Sequence, residues 1–201
     1  MLRITLAYVV GIGVLFAAAC ADGNRDKSTP TAAPTSSPTS AGIGVPAIIE
    51  QVTKAVHSNE PARLEALIQY QTISCISTPS GEGSPPLCGE GEAGGTPVEA
   101  IISANCAFNY VRKDRTASVV RNAVGTDNKL WAAYEYTGEE FGPGAAYFII
   151  FERPEPLSNG TGYGIVTTTD HVVGIHYGCG WSPKEFGRHT EFGPAVIPPT
   201  S

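Results

Sequence analysis

Few side chains in this sequence could do chemistry, and those that could are scattered. Asp170-His171 is the one adjacent carboxylate–imidazole pair. Neighbours on a strand point to opposite faces, so such a pair relays a proton only across a turn. Thr169-Asp170-His171 reads as a tight turn, which puts both groups at a solvent edge. His176 sits in a strand pattern with Val172 and Gly174 on one face and Val173, Ile175 and Tyr177 on the other. Were the Val172 face to line a pocket, His176 could give or take a proton there. His57 falls near a helix end, where a positive imidazole suits the carbonyl terminus. His189 lies in a sparse tail and carries no visible role.

Glu82, Glu90 and Glu92 stand among glycines between Ser80 and Gly95. Calcium would want Asp or Asn at alternate positions with a bidentate Glu, and no such ladder is present, so a solvated loop is expected. A phosphate-cradling P-loop and a G-x-S-x-G nucleophile elbow are both missing. No catalytic set, metal site or cofactor is therefore expected. The aromatic residues Tyr134, Tyr136, Tyr147, Phe148, Phe151, Tyr163, Tyr177 and Trp181 read first as core. Tyr134, Tyr147 and Tyr177 are candidates to share a pocket with His176. Arg112-Lys113-Asp114-Arg115 reads as a short charged turn. With 13 Lys+Arg against 19 Asp+Glu and a net charge of −6, the chain is no binder of nucleic acid.

The amino end points to an address. Arg3 is followed by an apolar run from Ile4 that closes on Leu15-Phe16-Ala17-Ala18-Ala19-Cys20. A basic start, a short apolar middle and small residues before a cut describe a secretory signal. With Cys20 directly after them, the segment resembles a bacterial lipoprotein signal, although Ala17 stands where that family usually has Leu. The resemblance implies a signal peptide over 1–19, cleavage before Cys20 and a diacylglyceryl group on the Cys20 thiol. An uncleaved anchor over Ile4–Ala21 is the alternative, at the lower edge of spanning length. Either way the rest of the chain lies outside the cytoplasm, held to a bacterial membrane. Residues 20–44 read as a tether: from Ser28 to Gly42 every residue is Ser, Thr, Pro, Ala or Gly, too little apolar surface to fold.

Setting Cys20 aside leaves Cys75, Cys88, Cys106 and Cys179, an even number in an oxidising compartment. Three connectivities are open, and Cys75–Cys88 with Cys106–Cys179 is favoured. The first would close a Gly- and Pro-rich loop, worth about 3 kcal/mol in the chain-entropy model. Zinc is disfavoured, since there is no C-x2-C pair and no histidine near Cys75 or Cys88.

The elements that must position these residues read as helices first and strands later. Val45, Ile49, Val52 and Val56 recur at helical spacing; Leu64, Leu67 and Ile68 share a face behind a Ser58 or Asn59 cap. Thr96-Pro97-Val98-Glu99 reads as a capping box opening a third helix. A short strand is expected near Ile73, then strands over 116–125, 129–137, 145–153, 162–169 and 172–178. Ile48-Ile49-x-x-Val52 through Ala55, Ser58-Asn59-Glu60 and Leu64-x-x-Leu67-Ile68 together resemble the opening of NTF2-like (SnoaL-like) domains. Helices first and antiparallel strands afterwards make an α+β domain over 45–192 with a flexible tail at 193–201, and the likeness implies that three N-terminal helices pack on a curved antiparallel cone of five to six strands. The expected function is a lipid-anchored, non-catalytic module binding a small ligand or an envelope protein. The alternatives are an NTF2-like pocket enzyme of proton-transfer isomerase, dehydratase or hydrolase type, and a structural cell-envelope accessory protein.

Overall fold

The computed structural model describes residues 44–105, 107–157, 160–178, 180–188 and 191–200. Helix α1 spans Ala47–His57 and buries Ile48, Ile49, Val52, Ala55 and Val56, the stripe that its periodicity dictates. A one-turn α2 (Pro61–Glu65) buries Leu64 and starts on Pro61, where a missing N–H costs nothing. β1 (Gln71–Ser74) follows, then β2 (Pro97–Asn105) and β3 (Phe108–Arg112). After a 3-10 turn at Lys113–Arg115 come α3 (Ala117–Ala123), β4 (Lys129–Tyr136), β5 (Tyr147–Leu157), β6 (Gly160–Thr167), β7 (Val172–Tyr177), α4 (Pro183–Phe186) and β8 (Phe192–Ile197).

The strands form one mixed sheet in the order β1-β2-β7-β6-β5-β4-β8, with β3 on β2 as well. The expected cone of five to six antiparallel strands under three helices is thereby overturned, and with it the NTF2-like architecture. Among the described residues the sheet has eight strands, its β2–β7 pair is parallel, and the helices are short. Two local readings account for much of the difference. Thr96-Pro97-Val98-Glu99 opens a strand, because the β-branched residues Val98, Ile101 and Ile102 are buried in a strand that has neighbours on both edges. Pro97 sits at the first strand position, where the absent N–H is harmless. Residues 117–123, expected as a strand for Val119-Val120, form α3 instead, because Val120 and Ala123 then fall together on the buried side. Phe192–Ile197, all but its first residue in the expected tail, pairs with β4 as β8.

Each face of the sheet carries its own core. On one, α1, α2 and α3 press Ile49, Val52, Leu64 and Val120 onto Ile149, Phe151, Ile165 and Ile175. The end of α3 is held by side chains that donate to its carbonyls, most of them ones left over at the C-terminus. Tyr177 donates to the Val119 carbonyl, Arg153 to that of Asn122, and Tyr163 and Asn128 to that of Ala123. Arg153 is only 8% exposed, and its guanidinium lies 4.7 and 5.0 Å from the ring centres of Tyr163 and Tyr177. Ring faces and helix-end carbonyls thus supply the negative potential around this buried cation. Burial pushes the Tyr163 and Tyr177 phenols far above their usual range, with Arg153 pulling the other way.

On the opposite face Phe141, Phe148, Phe186 and Tyr136 gather over Ile102, Ile150 and Val166. Two strand glycines make this possible. A Cβ at Gly164 would collide with the Phe148 ring, and one at Gly174 with the Phe141 ring. Side-chain-free positions on adjacent strands give the rings somewhere to lie.

Candidate functional site

The Cys75–Cys88 disulfide is formed, with a Cα–Cα distance of 4.9 Å. It closes a loop that folds back along its own base: Ile76 N–H donates to the Pro86 carbonyl and Cys88 N–H to that of Ile76. The loop and the turn that follows it are each pinned to β3. Gly83 N–H donates to the Phe108 carbonyl at 2.7 Å. Arg112 grips Glu92 with both terminal nitrogens, at 2.5 and 3.0 Å, and Glu92 also accepts from the Gly89 N–H at 2.7 Å. A carboxylate so served stays charged: hydrogen bonds from Arg112 first, then Gly89, pull its pKa down to about 2.

Between the pinned loop and β3 runs a groove of about 330 Å³, at the lower end of ligand-site volumes of about 300–1,000 Å³. Pro85, Pro86 and Leu87 form its loop wall, Tyr110 and Arg112 its strand wall, and Arg115 stands at one end. Leu87 is 42% exposed, one of two large hydrophobic residues so exposed among those described. The lining holds two arginines and no acid. Arg112 is committed to Glu92, whereas Arg115 has no ion pair within 4 Å among the described residues.

The sequence-derived candidates are distributed otherwise. His176 and Tyr134 lie on the aromatic face, Tyr147 and Tyr177 on the helix face, so the four do not share one cavity. A register shift between β6 and β7 at Val166/Thr167 breaks the simple alternation: Val172 packs with Ile175 and Tyr177, and His176 does not share its face. The His176 imidazole instead lies among the rings of Phe108, Phe141, Phe148, Trp181 and Phe186, 5.2 to 6.2 Å centre to centre. The space beside it, which Glu140 and Glu191 also line, is about 10 Å³, room for one water at most.

Asp170 and His171 sit exposed in a turn whose N–H groups both donate to the Thr168 hydroxyl. His57 is exposed in the last turn of α1, edge-on to Phe151. Cys20, Cys106, Cys179 and His189 lie outside the described residues. Glu82 and Glu90 are exposed as expected, but Glu92 is half-buried and engaged. The sulfurs of Cys75 and Cys88 and a Glu92 oxygen lie within 4.8 Å of one another, the donor spacing of a metal site. The disulfide and Arg112 already occupy those atoms.

Sequence reading missed the groove and the Glu92–Arg112 pair that frames it. The signal was thin: a Gly89-x-x-Glu92 turn, and an arginine twenty residues later at the end of a strand. Compared with known proteins, the sequence matches no family model and no curated protein, and the structure matches no solved structure.

Proposed function

We propose that this chain is an extracytoplasmic lipoprotein, anchored to a bacterial membrane through Cys20, whose folded domain is a non-catalytic module binding a partner in the groove beside the disulfide loop. The observation that carries the reading is that groove: a concave, partly apolar surface lined by two arginines and no acid, and framed by a disulfide, an ion pair and a backbone bond. A disulfide is the cross-link of an oxidising compartment, which fits export. The lipid would hold the module firmly only with more than one acyl chain, since each buried CH₂ contributes about 0.8 kcal/mol. The tether over 20–44 then gives the domain reach from the membrane surface.

The parallel register of β2 and β7 runs through Ala104↔His176 and Asn105↔Tyr177, stopping one residue before Cys106 and two before Cys179. This supports Cys106–Cys179 as the second cross-link.

The test is metabolic labelling of the chain in a bacterial host with a fatty-acid analogue, followed by non-reducing peptide mapping. Label is expected on the native chain and absent from Cys20→Ser, which should leave the membrane fraction, and the map should show a Cys106–Cys179 peptide. An unlabelled native chain in the cytoplasm would sink the anchored reading.

A further inference from the structure

β3 offers one edge of its backbone to the groove, and the pairing of the sheet shows which edge. Ala100 pairs with both Gln71 of β1 and Arg112 of β3, and Ile102 with both Tyr110 of β3 and Gly174 of β7. β1 and β7 therefore share one edge of β2, and β3 takes the other. Among the described residues β3 pairs with no second strand, so its far side is an outer edge.

Backbone groups of successive residues in an antiparallel strand point to alternate sides. The Phe108 carbonyl points outward, since it accepts from Gly83. Tyr110 and Arg112 must then point outward too, with Asn109 and Val111 facing β2. No described residue bonds the outward N–H and C=O of Tyr110 or the outward N–H of Arg112. These groups lie over two residue rises, about 7 Å, along the wall of the groove. An exposed strand edge is a template for another strand, and no proline or lysine lies within β3. The disulfide loop covers only its Phe108 end.

The geometry points to strand addition: an extended, acidic peptide segment of a partner protein lies along β3, its backbone bonded to Tyr110 and Arg112. An apolar side chain of the peptide rests on Leu87 and a carboxylate meets Arg115. The inference rests on the partner-binding reading above and names the partner's chemistry. Extended conformation follows from the free backbone edge, and an anionic residue from a lining with two arginines and no acid. A cationic segment would meet Arg115, which has no ion pair within 4 Å among the described residues. A folded partner presenting a helix would leave the Tyr110 groups without partners.

The test uses the full chain in detergent micelles and three fluorescent pentapeptides: acetyl-Val-Glu-Val-Glu-Val-amide, its Lys counterpart, and the Glu peptide with alternate amides N-methylated. The Glu peptide should bind, with slowed amide exchange at Tyr110 and Arg112. The Lys and N-methylated peptides should bind at least about tenfold more weakly, the size of one lost charge-assisted contact or more. Arg115→Ala, at an exposed position, should weaken the Glu peptide about five- to tenfold while leaving the thermal midpoint unchanged. Equal binding of the Glu and Lys peptides, or protection away from β3, would overturn the inference. A photo-crosslinker at Leu87 in membranes separates the two levels. A captured protein together with no peptide binding removes strand addition and spares the binding module, whereas no capture and no peptide binding removes both.

Discussion

On the helix-covered face the sheet meets branched aliphatic side chains, Ile49 and Val52 from α1 and Val120 from α3, and the polar groups that remain are tied off one by one around the end of α3. On the other face it meets rings, Phe141 and Phe148 among them, each lying over a glycine. One face is filled from outside by helices that bring their own volume. The other is filled by long side chains that need volume removed from the strand beneath. The two arrangements fail differently: the first when a partner is deleted, the second when an atom is added.

Adding an atom should do the greater damage. Gly164→Ala is expected to cost about 2–3 kcal/mol in urea denaturation, because the new methyl group and the Phe148 ring claim the same space. The double variant Gly164→Ala with Phe148→Leu should cost less than the sum of the single ones, the mark of a direct clash. Additive costs would mean that the rings on this face are not seated in glycine hollows.

Deletion on the helix face should cost somewhat less. Arg153→Met keeps the length but loses the bond to the Asn122 carbonyl and the contacts with two tyrosine rings, for about 2 kcal/mol. Arg153→Lys should recover only part of this, since an ammonium cannot lie flat between the rings. Full recovery by lysine would show that charge alone matters there.

The smallest effect belongs to the groove. The Glu92 carboxyl, held down to about 2 by Arg112 and the Gly89 N–H, contributes stability that is fully present above the ordinary carboxylate range near 4.5. That contribution fades as pH falls from there towards 2. Carbon NMR should place the Glu92 titration near 2, and the Glu92→Gln chain should lose less stability than the native one over the same acid interval. A Glu92 midpoint near 4.5 would mean that Arg112 does not clamp the loop.

Elements whose own periodicity settles their state were legible in advance. α1 has its stripe, β4 to β7 have runs of Val, Ile, Tyr and Phe between turn residues, and the Cys75–Cys88 closure followed from cysteine arithmetic. β2 and α3 were read in each other's state because both carry local signals that the sheet overrides. A capping box preceded a strand with neighbours on both edges, and a Val-Val pair sat in a helix whose end is secured by Arg153, Tyr163 and Tyr177. The groove was illegible for a different reason. Its walls meet through contacts between Glu92 and Arg112 and between Gly83 and Phe108, and no spacing along one stretch of chain announces either.

The parallel junction at β2 also sets an order of events. Its neighbours come from residues 71–74, 108–112 and 172–177, and the last strand of the sheet is not complete until Ile197. A chain still missing its final thirty residues has no β7 to fill that edge and no β8 to shield β4. Closure waits for the carboxyl end, so shortened products should stay open and adhesive instead of forming a smaller version of the domain.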